Sequence, residues 1–161
     1  MIIFETLAQE IKAHGLKVAS FDFDRPWGGF FVIEEQQAQK FAEIYFKGLN
    51  FTSLKVGGKL SPKLLMVKPE ARLSWQYHHR RAETWRVIEG PVGVVRSFDD
   101  TEGSILHYKT GETIIFEKGE RHRLVGLVNW GAVAEFWQHT DANHPSDEED
   151  IVRLQDDYAR T

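Results

Sequence analysis

Short apolar and β-branched runs, broken every few positions by Gly, Pro or Asp, dominate the chain from Phe51 to Gln138. They are Lys63–Val67, Arg72–His78, Glu83–Glu89, Gly93–Ser97, Thr113–Phe116, His122–Val128 and Ala132–Trp137. Runs of this length predict strands, and their regular succession predicts an all-β sandwich or barrel. Two earlier segments carry the helical period instead. In the first, Leu7 and Ile11 share a face, Thr6 and Gln9 have capping-box spacing, and Gly15 can end the helix. In the second, from about Glu34 to Phe46, Phe41, Ile44 and Tyr45 lie on one side and Gly48 is the stop. The stretch from Asp141 to Glu149 reads as polar loop, and Asp147–Asp150 as a solvated acidic run; a last segment covers 150–160. At 161 residues the size prior is one domain over 1–161. It divides into a helical and strand extension at 1–50, a barrel core at 51–140 and a C-terminal segment at 141–161.

The formal charge of -4 gives no broad electrostatic reason to expect a nucleic-acid partner. With no cysteine, any metal must be held by nitrogen and oxygen, and a reducing compartment suits the chain. Glu5 and Glu10 interrupt the N-terminal stretch, which has no long apolar run. Neither a secretory leader nor a membrane span is read there, and a cytoplasmic location is the expectation.

Candidate chemistry begins at Gln76-Tyr77-His78, with Glu83 five residues beyond His78. Alternation on a strand sends Gln76 and His78 to one face, while His79 faces away. Glu83 opens the next strand after a turn through Arg80 and Arg81, so its carboxylate can return to that face. Amide oxygen, imidazole and carboxylate together suit a divalent cation. An ordinary polar strand explains a lone Gln-X-His equally well. His122 adds weight, because Gly111, Gly119 and His122 outline a strand, a tight turn and a second strand that opens on a histidine. His14, His107, His139 and His144 have no ligand-like spacing and read as surface residues. Arg72 and Ser74 share the alternating face of Gln76 and His78, so both are candidates to line a cavity. An interior arginine needs an anion, either a phosphate or a salt bridge to Glu70 or Glu135. Trp27 and Trp85 are candidates to stack on a sugar ring.

The segments around Glu83–Gly90 and Gly111–His122 resemble the paired motifs of the cupin superfamily. Three blocks narrow the likeness: RPWGGFFVIEE from Arg25, KPEARLSWQYHHRRAETWRVIEG from Lys68 and EEDIVRLQDDYAR from Glu148. Together they are similar to type II phosphomannose isomerase, a cupin that also occurs fused to mannose-1-phosphate guanylyltransferases. The resemblance implies a jelly-roll-like barrel holding one divalent metal on Gln76, His78, Glu83 and His122. Zinc is the first expectation, with manganese, nickel, cobalt or iron as alternatives. It also implies that Arg160 acts at the active site, as a catalytic residue. The implied activity is aldose–ketose isomerisation of a sugar phosphate; strand alternation offers Arg72 and Ser74, and ring stacking offers Trp85, as residues on the substrate, and a homodimeric assembly is expected. A metal-containing cupin that binds a sugar or other small ligand without catalysis is the alternative. A cupin oxygenase fits less well, since those sites usually offer more histidines. This chain departs from the family at several positions. Glu70 and Ala159 stand where the family has glycines, Arg80 and Thr84 where it has histidines, Glu117 for a proline and Gly126 for an asparagine.

Overall fold

The structure is a computed structural model and describes residues 2–50, 59–141 and 143–160. Helix α1 (Ile2–Ala13) is followed by a hairpin of β1 (Val18–Arg25) and β2 (Gly28–Ile33). A 3-10 turn (Glu35–Gln37) leads into α2 (Ala38–Tyr45). Nine further strands complete the described chain. They are β3 (Lys63–Val67), β4 (Trp75–Tyr77), β5 (Arg81–Glu89), β6 (Val92–Ser97) and β7 (Leu106–Tyr108), then β8 (Thr113–Phe116), β9 (Arg121–Val125), β10 (Gly131–His139) and β11 (Val152–Gln155). They pair antiparallel in two sheets, ordered β1-β2-β3-β10-β5-β8 and β11-β4-β9-β6-β7. Most expected runs are strands with slightly moved ends. The hairpin β1–β2, short β7 and β11 were not read from the sequence, and the expected strand content of 51–58 lies outside the described residues.

Alternation decides which side chains meet. On β3, Leu65 and Val67 face the space between the sheets, while Leu64 and Met66 face the helices. Both faces are therefore buried, which is why the run after Lys63, Leu64 to Val67, is apolar. On β10, Val133 points inward and Ala132, Ala134 and Phe136 point to the helices, so Glu135 and Trp137 share the inward face of Val133. On β5, Trp85 and Val87 point inward, which puts Arg81 and Glu83 on that face too. Helices α1 and α2 cover the outer face of the six-stranded sheet through Phe4, Leu7, Ile11 and Phe41.

Gly15 ends α1 with φ +72°, while Gly15 N–H bonds Lys12 O and Leu16 N–H bonds Ile11 O. Thr6 and Gln9, expected as a capping box, lie inside α1 instead. The expected strand Arg72–His78 contracts to Trp75–Tyr77, with Arg72 making one isolated bridge to Val125. Residues 73–74 between that bridge and β4 are not strand, so alternation counted back from Gln76 does not reach Arg72.

Candidate metal centre

The ladder fixes the geometry from below. Gln76 on β4 is the Cα partner of His122 on β9, so both side chains leave the same face of the second sheet. Glu83 approaches from β5 in the first sheet. His78, Glu83 and His122 are all buried, and one donor atom from each lies within 4.8 Å of the others, a set that could hold a metal ion. Glu83 Oε1 lies 3.0 Å from His122 Nε2, yet both atoms lack a hydrogen bond among the described residues. Glu83 Oε2 lies 3.4 Å from His78 Nε2. The outer nitrogens are occupied by main-chain carbonyls: His78 Nδ1 by Asp150 O at 2.6 Å and His122 Nδ1 by Glu120 O at 3.1 Å. A donating Nδ1 puts the lone pair on Nε2, where it can ligate; His122 Nε2 has no partner among the described residues, while His78 Nε2 lies 3.4 Å from Arg81 Nη2. Two orphaned buried donor atoms and two oriented imidazoles are what a cation would complete. Gln76 lines the same cavity as Glu83.

Electrostatics agree with neutral imidazole and ionised carboxylate. Burial lowers the His78 pKa against the pull of Glu83. Burial raises the Glu83 carboxyl, but neighbouring His78 and Arg81 more than reverse this and hold it well below the usual range.

The other expected site residues fall in different places. Ser74 is buried and its hydroxyl donates to Gln76 Oε1 at 2.5 Å, so it holds the amide rather than a substrate. Trp85 is buried beneath the site, edge-on to His122 at 5.6 Å and to Phe116 at 4.7 Å, and is not on the cavity wall. It supports His122 and offers no face to a sugar. Arg72 points elsewhere: its Nε and Nη2 donate to Asp157 at 2.8 and 2.9 Å, and it does not line the cavity. Its partner is neither a ligand nor Glu70 or Glu135. Arg160 does line the cavity, held by Asp156 through Nε at 2.7 Å.

Two readings as surface are corrected. His139 is buried, accepts the Ser146 N–H on Nδ1 at 2.8 Å and contacts the Lys59 carbonyl. Asp150 is buried as well, and its carboxylate accepts the N–H groups of His79 and Arg80 at 2.8 and 2.9 Å.

Residues that sequence reasoning passed over complete the cavity of about 370 Å³. Arg81 opens β5 and donates from Nε to Glu83 Oε2 at 3.0 Å, its guanidinium 3.8 Å from the Trp137 ring centre. Alternation back from Glu83 would have found it. Glu135 and its ladder partner Lys63 line the cavity too. Burial, then the nearby Glu83 charge, pushes the Glu135 carboxyl up to about 7. An acid at the centre of the apolar run AVAEFW was the available signal. Arg25 and Arg153 also reach the cavity, from β1 and β11.

Among the described residues, no helix is long and apolar enough to cross a membrane. The family model described as mannose-6-phosphate isomerase C-terminal matches residues 34–156. Alginate biosynthesis protein AlgA of Pseudomonas aeruginosa is 32% identical over 128 residues, which is 78% of this chain and 24% of that protein. Mannose-1-phosphate guanylyltransferase of Escherichia coli is 30% identical over 118 residues, 73% of this chain and 23% of its own. The chain thus spans about a quarter of the length of the curated relatives it matches. Among solved structures, capsular polysaccharide assembling protein CapF of Staphylococcus aureus matches 87% of this chain and 34% of its own, with TM-score 0.54 and 16% identity. KdgF from Halomonas sp. matches 81% of this chain and 89% of its own, with TM-score 0.54 and 12% identity. At these identities the structural likeness is one of fold, the two-sheet cupin barrel. With the family model laid over most of its length, the chain belongs to the cupin family of mannose-6-phosphate isomerase C-terminal domains.

Proposed function

We propose that the chain binds one divalent metal through Gln76, His78, Glu83 and His122 and isomerises a sugar phosphate, most simply mannose 6-phosphate to fructose 6-phosphate. The observation that carries this reading is the pair of orphaned donor atoms, Glu83 Oε1 and His122 Nε2, at the base of a cavity whose wall bears Glu135. Membership of the mannose-6-phosphate isomerase C-terminal family supports the substrate class. A bound divalent ion would polarise the substrate's carbonyl and hydroxyl oxygens as a Lewis acid. Glu135, held up to about 7, can take the proton from C2 as a carboxylate and return it to C1 as an acid. A proton passes from O2 to O1 in the same cycle, so aldose and ketose balance through an enediol. Trp27, Phe30 and Leu65 on the wall limit water around the reacting carbons. Arg81 keeps Glu83 ionised and oriented.

One observation favours a second reading, a metal-containing binding module. The Arg81 guanidinium bonds Glu83 Oε2 and comes within 3.4 Å of His78 Nε2, so it stands beside the ligand atoms themselves. Metal analysis of the purified chain followed by a coupled assay across hexose, pentose and heptose phosphates separates the two. Stoichiometric metal with turnover supports the isomerase; stoichiometric metal with binding and no turnover leaves the module.

A further inference from the structure

We infer that Arg25, Arg153 and Arg160, together with the indole N–H of Trp27, form a subsite for the phosphoryl group of the substrate at the outer end of the cavity. The inference rests on the proposed sugar-phosphate reading and names the residues that would recognise the phosphate. Three arginines reach one cavity from separate segments: the end of β1, the middle of β11 and the chain beyond β11. Arg153 is the Cα partner of Gln76 in the β4–β11 ladder, so its side chain leaves the same face as that ligand. The depth of the groups sets the polarity of the site. The side chains of His78, Glu83 and His122 are 2% exposed, whereas those of Arg160 and Arg25 are 25% and 43% exposed. A sugar phosphate therefore enters carbonyl end first and leaves its phosphate among the arginines.

Two donors there, on Trp27 and Arg25, are incompletely used among the described residues. Trp27 is buried on the cavity wall and its Nε1 has no acceptor among the described residues. Asp22 Oδ2 lies 3.1 Å from Arg25 Nε, yet that buried nitrogen makes no hydrogen bond among the described residues. Burial, then the charge of Arg160, lowers the Arg153 pKa; Asp156 opposes this and Arg25 adds to it, so both other guanidiniums act on Arg153. Asp156 takes Arg160 through Nε at 2.7 Å and Nη2 at 3.1 Å and Asp22 flanks Arg25, so three guanidiniums meet two carboxylates; the positive charge left over on the cavity side suits an anion, and guanidinium forks match the oxygens of a tetrahedral phosphate. Glu148, the acid nearest in sequence on the wall, is paired with Lys63 at 3.3 Å. Arg72, the residue offered for this role by strand alternation, is bound to Asp157 instead.

Calorimetry with inorganic phosphate on the metal-free protein tests the subsite without the metal as a competing ligand. Arg25→Gln and Arg153→Gln should each weaken phosphate binding by about 10- to 100-fold, the worth of charge-assisted hydrogen bonds. Arg25→Lys should recover part of the loss, and Arg72→Gln should bind phosphate as the parent does. Near-UV circular dichroism checks that each variant keeps its tertiary packing. Parent-like affinity in both folded Gln variants, or an equal loss in Arg72→Gln, overturns the subsite. Turnover of mannose 6-phosphate by the same proteins separates the two proposals. Lost phosphate binding with no turnover even in the parent keeps the subsite and removes the isomerase. Turnover with unchanged KM in both Gln variants keeps the isomerase and removes the subsite.

Discussion

His78 Nδ1 lies 2.6 Å from the main-chain carbonyl of Asp150, a residue 72 positions further along the chain. The Asp150 carboxylate completes the clasp, taking the N–H groups of His79 and Arg80 and the hydroxyl of Ser146. One residue of the C-terminal segment thereby sets the tautomer of a candidate ligand and closes the turn that follows it.

Asp150→Ala should loosen that clasp. Buried N–H groups left without an acceptor cost about 1–3 kcal/mol each. The Asp150 main-chain carbonyl survives the substitution, but a loosened clasp should shift it away from His78 Nδ1 and lower metal affinity by about 10-fold, the lower end of what outer partners of ligating histidines contribute. Competition with a chromophoric chelator measures the affinity and thermal melting measures the stability. A variant that melts lower but binds zinc as tightly as the parent would show that the clasp serves the turn alone.

His122→Ala should remove most of the metal and any isomerase activity while the barrel stays folded. The inter-sheet cluster loses the ring contacts of that imidazole with Trp85 and Phe116 but keeps the packing of Val87, Val94 and Leu124. Elemental analysis, the coupled assay and far-UV circular dichroism read the three outcomes separately. Full activity would make the metal irrelevant to catalysis, and unfolding would make it structural.

The four candidate ligands were legible because each sits where local rules act: alternation for Gln76 and His78, a short turn before Glu83, a strand opening at His122. Arg72 was misplaced because the stretch 73–74 is not strand, which breaks the alternation on which its direction was counted. Asp150 looked like part of a solvated acidic run, since composition does not reveal a carboxylate that turns inward to accept main-chain N–H groups. Arg25 and Arg153 were invisible for another reason. Arg153 depends on β11 pairing with β4, far away in sequence, and Arg25 ends the first strand of the β1–β2 hairpin; neither β1 nor β11 announces itself by an apolar run.

Glu70 and Ala159 hold φ of 61° and 56°, the left-handed region, where side chains other than glycine are strained. These are two of the positions at which the family resemblance implies glycine. Glu70→Gly and Ala159→Gly should each stabilise the protein by about 0.5–1 kcal/mol, the relieved strain less the added freedom of the unfolded chain. The melting temperature should rise by about 1–4 °C. A fall in either variant would mean that the side chain contributes more than its backbone strain removes.

Glu135 offers the sharpest test, because its two expected effects have different pH signatures. Its carboxyl titrates near 4.5 in an unfolded chain and is pushed up to about 7 in the fold, chiefly by burial and by the charge of Glu83. Lys63, Arg81 and His122 also face it and pull the other way. Between those two values the folded chain holds the proton more tightly than the unfolded one. The group's contribution to stability is therefore fully present below about pH 4.5 and lost as pH rises through 7. Glu135→Gln keeps an oxygen to accept the Trp137 indole N–H, which now reaches Oε1 at 3.2 Å, and removes the titration. The metal-free variant should melt close to the parent at pH 5 and higher than the parent at pH 8. In the metal-loaded protein, loss of the proton-transfer group should lower kcat by about 10²- to 10⁴-fold with little change in KM. A melting difference independent of pH would remove the buried titration. Parent-like kcat would take proton transfer away from Glu135 and leave it a neighbour of Lys63 in the wall.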